Sequence, residues 1–188
     1  NLTPTGKPSE LTKGQWVQVR TDNFKKWFGD WENDPANSSK VVNEVTGEPL
    51  VVYHGTKYDF NYFENSDGLF GDGIYLTDKY NQFAELYSSE DGGNIIPLFA
   101  SIKNPEEYDQ SVIDESIENE TINQVEESSN NSNKRLRTDG LIITNPRAIE
   151  DIEKAKESER YIVAWNSSQV KSAIGNIGTF EVGDYDIR

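Results

Sequence analysis

No cysteine occurs anywhere in the 188 residues. Disulfides, thiolate nucleophiles and cysteine-based zinc sites are therefore excluded. Methionine is absent too, and histidine occurs once, at His54. A single imidazole rules out zinc sites built from two or three histidines, and equally the two-histidine acid–base pair of many ribonucleases. Acid–base chemistry would have to recruit carboxylates, lysine or tyrosine. Bases are scarce: 18 Lys and Arg stand against 33 Asp and Glu, a formal net charge of −15. That balance argues against a broad nucleic-acid-binding face, which needs positive charge to displace phosphate counterions. It leaves room for a small basic pocket. No apolar run approaches the roughly 20 residues of a membrane span. Apolar residues make up only 34 %, but aromatics reach 11 % with four Trp, so a few large side chains can supply the core. The length suits one domain. A chain that opens at Asn1 and lacks Met reads as a fragment or processed piece of a longer protein.

The first ten residues, rich in Thr, Pro, Gly and Ser, read as an extended arm. Further on, Phe24, Trp27, Phe28 and Trp31 fall at i, i+3, i+4 and i+7, one face of a helix, with Asp22 as its N-cap and Gly29 weakening its last turn. Residues 1–38 are thus expected as an arm and an aromatic helix docking on a core formed by 39–188. Residues 40–56, KVVNEVTGEPLVVYHGT, predict a β-hairpin around a Thr-Gly-Glu-Pro turn. An aromatic-rich loop at 58–70 leads to a short strand at 74–76. A helix capped by Thr77 or Asp78 and carrying Phe83, Leu86 and Tyr87 is expected next. The strand at 95–102 meets Pro97 early, which predicts an edge position or a late start. Between 105 and 133 lie nine acids and no Lys or Arg; residues 106–135 read as a mobile acidic insertion. Strands at 141–144, 161–165 and 169–175 follow, with a helix-like segment between the first two. Strict strand–helix alternation is missing, so the fold class is α+β with a split antiparallel or mixed sheet rather than a doubly wound one.

The familiar nucleotide loops fail. The segment GDGIYL at 71–76 has Leu where a dinucleotide fingerprint needs its third Gly, and it precedes a strand instead of following one. No P-loop and no serine nucleophile elbow is present. What remains is Tyr53-His54-Gly55-Thr56 at the end of an apolar run, and Gly71 to Asp78 some twenty residues on. From position alone His54 is equally a strand-end cap, and Tyr75 equally a core or cross-strand aromatic.

Together, HGT at 54–56 and GDGIYLTD at 71–78, with Ala84 and Tyr87 beyond, resemble the ADP-ribosyltransferase superfamily in its diphtheria-toxin-like and poly(ADP-ribose) polymerase branch. The late YIVAW followed by Gln169-Val170 is similar to that branch's terminal strands. The wording is nearer still to the ADP-ribosyltransferase-like domains of phage and mobile-element polyvalent proteins, through Phe24 to Trp31, Ser39 to Thr56 and Gln169 to Phe180. The resemblance covers 1–105 and 139–188. It implies NAD⁺ as co-substrate, no metal, and mono-ADP-ribosyl transfer with release of nicotinamide. His54 is then expected on the adenosine ribose, Gly55 and Thr56 beside it with the Gly55 backbone gripping the carboxamide, Tyr75 stacked on the nicotinamide, and Tyr87 as a second aromatic wall one residue later than usual.

Where the branch carries a catalytic Glu, this chain has Arg160. The candidates for the third catalytic group are Glu159, whose plain reading (like that of Glu157) is a solvated helix end, and Gln169. A Gln can orient a hydroxyl but cannot act as a base. The resemblance further implies an effector that is part of a larger polyprotein and acts in the host cytoplasm; the lack of a long apolar run adds the expectation of no membrane, and the surplus of acids that of a host protein as acceptor in preference to nucleic acid. The alternatives are a weak or inactive NAD⁺- or nucleotide-binding module on the same fold and, well behind, a nuclease, for which one His is too few.

Overall fold

Thr12 and Thr21 open two short helices, α1 (Lys13–Gln18) and α2 (Asp22–Phe28). Thr12 forms a capping box with Gln15, and the Thr21 hydroxyl accepts from the Phe24 N–H at 3.3 Å. The cap of α2 is thus Thr21 and not Asp22, which sits in the first turn, where its charge suits the positive end of the helix. Gly29 ends α2 at φ 108°, and a side chain there would stand 2.4 Å from Ser38 Cα, so only glycine allows the turn. Trp31 lies past the helix end, yet it keeps the buried position that the spacing predicts, its indole N–H donating to the Val19 carbonyl at 2.9 Å.

The computed structural model describes residues 1–57, 61–64, 66–68, 71–80, 94–109, 137–144, 160–181 and 183–188. They form eight strands: β1 (Val52–Thr56), β2 (Ser66–Gly68), β3 (Gly71–Thr77), β4 (Asn94–Ala100), β5 (Pro105–Asp109), β6 (Gly140–Thr144), β7 (Arg160–Ala164) and β8 (Val170–Ser172). Their order is β5-β6-β7-β3-β1-β4-β8, with β2 beside β3. Every pairing is antiparallel except β5 with β6. The result is the α+β fold with a mixed sheet that the chain pattern predicts. The expected helices after Thr77 and after Thr144 lie outside the described residues, as does the acidic stretch from 110 to 136.

Alternation along the strands separates two faces. Val52, Ile74, Leu76, Leu98, Ala100, Ile142, Ile162, Ala164 and Val170 point to one buried cluster. Leu141, Ile143, Tyr161 and Val163, with Tyr75, form a second on the opposite side of β6, β7 and β3. The aromatic face of α2 builds a third with Phe99, Ala173 and Phe180. There the Phe24 ring lies 5.0–5.6 Å from four other aromatic rings.

Three expectations need correction. The hairpin at 40–56 shrinks to one bridge, Val42 to Pro49. The N–H groups that would extend the ladder on either side are turned to side chains, Val41 donating to Ser39 Oγ at 3.2 Å and Glu48 to Thr46 Oγ1 at 3.3 Å, and the loop is organised by the Asn43 side chain, which accepts from the N–H groups of Val45 and Thr46. The acidic stretch does not begin at 106, because Glu106 to Asp109 pair with β6 as part of β5. Finally, β4 is no edge strand, since β1 and β8 flank it. Pro97 is nonetheless accommodated by a local edge. Its carbonyl accepts from Ala173 on the β8 side, so its nitrogen faces that side too, just past the last β8 residue in register, Ser172 opposite Leu98.

Candidate active site

The sheet parts between β1 and β3. These neighbours are in register only at Tyr53 and Thr77, whereas β1 pairs with β4 over its whole length. Strands that splay strand their backbone carbonyls, which must find other donors. His54 supplies one: its Nδ1 lies 2.8 Å from the Tyr75 carbonyl oxygen. A carbonyl can only accept, so Nδ1 carries the proton, and in the neutral ring Nε2 is an acceptor. Burial holds the imidazole pKa below its ordinary value against the smaller opposing effect of that hydrogen bond. The Phe63 ring stands edge-on to the imidazole, centroids 4.8 Å apart and planes at 90°. His54 is thus fixed as a neutral, oriented acceptor, with Gly55 and the buried Thr56 next along β1.

Tyr75 enters this arrangement through its backbone. Its neighbours Ile74 and Leu76 face the cluster that contains Phe63, so its ring turns to the other side and packs 5.8 Å from Tyr161. The structure therefore brings His54 to the Tyr75 carbonyl but not to the Tyr75 ring. Tyr87 and Glu159 lie outside the described residues.

Gln169 is taken up by the backbone. Its amide nitrogen donates to the carbonyls of Ser101 at 3.0 Å and Asp139 at 2.6 Å, and its oxygen accepts from the Asn166 N–H at 2.8 Å. Both amide hydrogens are used to tie the turn before β8 to the ends of β4 and β6. This geometry is that of a cross-brace, in contrast to the catalytic group expected of Gln169.

Arg160, at the place of the branch's Glu, is 8 % exposed. Its Nε lies 3.6 Å from the Asp78 carboxylate, its Nη2 donates to the Val42 carbonyl at 2.9 Å, and Asp78 also accepts from the Arg160 N–H at 3.1 Å. The guanidinium borders an open groove of about 380 Å³ with Lys40, Glu44 and Thr144. Two participants escaped the sequence reading. Phe63 was hidden in an aromatic-rich loop with no periodicity to single it out. Asp78 was read as a helix cap, and its pairing with Arg160 spans 82 positions.

Among the described residues no group of three metal-ligating side chains gathers, and no helix is long and apolar enough to cross a membrane. Comparison with curated proteins and with solved structures finds no match. The family model described as ADP-ribosyltransferase in polyvalent proteins matches residues 44–180. That span is well over half of the chain and includes the split strand pair, His54, Arg160 and Gln169. The chain belongs to the ADP-ribosyltransferase family of polyvalent proteins, and its function is of the ADP-ribosyltransferase type.

Proposed function

We propose that this domain binds NAD⁺ at the split between β1 and β3 and transfers a single ADP-ribosyl group to a host protein. The observation that carries the reading is the contact of His54 Nδ1 with the Tyr75 carbonyl at 2.8 Å, which sets the tautomer. With Nδ1–H committed to the Tyr75 carbonyl, Nε2 is an acceptor aimed by a rigid strand, suited to a ribose hydroxyl of the adenosine half. Gly55, without a side chain, lets the nicotinamide carboxamide reach the backbone, and Thr56 follows it on the same strand. The chemistry asks little more of the protein. Nicotinamide in NAD⁺ is a cationic leaving group; the C1′–N bond breaks with its electron pair going to the ring, leaving an oxocarbenium that the acceptor's nucleophile attacks as its proton passes to a base. Stabilising the oxocarbenium calls for nearby negative charge. Gln169 cannot provide it, so the reading assigns that task to Glu159, directly before Arg160. Tyr75 fixes His54, and Tyr87 remains the proposed aromatic wall for the nicotinamide. A larger polyprotein delivering the domain into a host cytoplasm suits the family. An acidic chain of net charge −15 favours a basic protein surface over nucleic acid as acceptor.

The decisive experiment is calorimetric titration with NAD⁺ followed by assay of nicotinamide release and intact mass of host proteins. Binding, release and an ADP-ribose mass increment support transfer; absence of NAD⁺ binding overturns it. A second reading, a binding module without turnover, is favoured by one feature, the buried Arg160–Asp78 pair where an acid is usual. It predicts binding with no release of nicotinamide.

A further inference from the structure

Lys171 on β8 is completely buried, an unusual place for an ammonium group, whose charge must be met by several acceptors. Its Nζ donates to the backbone carbonyls of Asp184, at 2.9 Å, and of Asp186, and lies 3.4 Å from the Asp184 carboxylate. Three hydrogens meet three acceptors, all on the last residues of the chain. Those residues then run on toward the site. The Ile187 carbonyl accepts from the Ser172 N–H at 2.7 Å, and the Ile187 N–H donates to the Asn61 carbonyl at 2.8 Å. The Ile187 side chain is 4 % exposed and belongs to the same cluster as Phe63. Asn61 is two residues from Phe63, whose ring meets the imidazole of His54 edge-on.

We propose that residues 183–188 are a strap, fastened by Lys171, that positions Phe63 against His54, and that Lys171 is therefore a positioning residue of the site. The strands between them cannot transmit this directly. Lys171 lies opposite Phe99 on β4 and shares the face of the α2 cluster, while His54 lies two strands away on the other face of β1. The covalent and hydrogen-bonded route through Asp184, Ile187 and Asn61 joins the two faces around the edge strand. A buried lysine answers the requirement better than an apolar residue would. Three successive carbonyl and carboxylate contacts fix the direction of an irregular segment, whereas apolar packing alone lets it slide. Phe63, so held, keeps water from the imidazole and keeps Nε2 in one direction. The functional meaning of the strap rests on His54 being the ribose-binding group.

The single histidine makes the test clean. Nuclear magnetic resonance of the full chain gives one imidazole titration, readable without any ligand. In Lys171→Met and, separately, in Ile187→Ala, the midpoint of His54 is expected to rise by about half a unit or more toward the ordinary histidine value, because the Phe63 shield is loosened. The Kd for NAD⁺ is expected to rise several-fold in the same variants, with turnover at saturation changing less. Ile187→Ala removes only a side chain and decides the matter if Lys171→Met does not fold. An unchanged midpoint in a folded variant overturns the strap. If the native protein fails to bind NAD⁺, the proposed function falls while the titration still judges the strap.

Discussion

The imidazole of His54 stands where a ladder bond between β1 and β3 would otherwise run: its Nδ1 is 2.8 Å from the Tyr75 carbonyl, just beyond the Tyr53–Thr77 pair at which the strands part. One side chain thus bonds a backbone carbonyl where the strands part and acquires a fixed direction for its other nitrogen. In the proposed site, structural anchoring and ribose binding fall to different atoms of the ring, which makes them separable.

Substitution exploits that separation. His54→Asn keeps a donor near the Nδ1 position and removes the acceptor at Nε2, so the fold is expected to persist while NAD⁺ binding weakens by about 1–3 kcal/mol. His54→Ala is expected to lose the same affinity and also stability, by about 1 kcal/mol for the lost bond to the Tyr75 carbonyl. Calorimetry and thermal unfolding read the two effects; an Asn variant that binds NAD⁺ like the native protein removes Nε2 from the site.

The pH dependence follows from the lowered pKa of His54, caused first by burial. A group that stays neutral in the folded state but protonates near 6.5 when unfolded leaves the unfolded chain holding more protons. Its contribution to stability is therefore full above 6.5, declines as the pH falls below 6.5, and levels off below the folded-state pKa. NAD⁺ affinity is expected to drop with a midpoint under 6.5, since the protonated ring has no acceptor. Calorimetry across that range checks both midpoint and direction; a loss of affinity on the alkaline side contradicts it.

Gln169→Ala removes three side-chain bonds to backbone groups of Ser101, Asp139 and Asn166. A loss of about 1–3 kcal/mol in unfolding free energy is expected, while nicotinamide release per folded molecule stays close to native. Glu159→Gln is expected to do the reverse, sparing stability and slowing release tenfold or more, about 1.4 kcal/mol in barrier. Denaturant unfolding and single-turnover assays distinguish the pair.

Asp78→Ala strips the buried Arg160 of its closest carboxylate, in a pair whose side chains are 10 % and 6 % exposed. Arg160 keeps Glu44 at 3.9 Å and the Val42 carbonyl, so the loss is expected at about 2 kcal/mol, less than for a buried charge stripped of every partner. Replacing both, in an Asp78→Ala, Arg160→Leu double variant, is expected to recover much of that loss. A double variant no more stable than the single one shows that the pair is not a unit.

Much of this was readable from the chain. The aromatic spacing from Phe24 to Trp31 marks a buried face whether or not the helix runs its full length, because Trp31 reaches the same cluster from beyond Gly29. The apolar runs at 141–144 and 161–165 mark β6 and most of β7, since two-sided burial needs apolar residues on both faces. HGT and GDGIYLTD fall on the two strands that part at the candidate site. Illegible were the short β5, whose acids mimic a solvated insertion, and the failure of the 40–56 hairpin, where the Val41 and Glu48 N–H groups turn to the Ser39 and Thr46 hydroxyls.

Sequence by itself determined which chemistry is open to this protein. One histidine, no cysteine and a surplus of acids are facts of composition, and the apolar runs carrying His54 and Tyr75 are facts of local pattern. Only the tertiary structure decided which atoms meet. That His54 bonds the backbone of Tyr75 and not its ring depends on where two strands splay, and that Gln169 braces β4 and β6 depends on carbonyls 68 and 30 positions away. Periodicity assigns a residue to a face; contacts between distant segments are fixed by how the faces pack, and no local pattern encodes them.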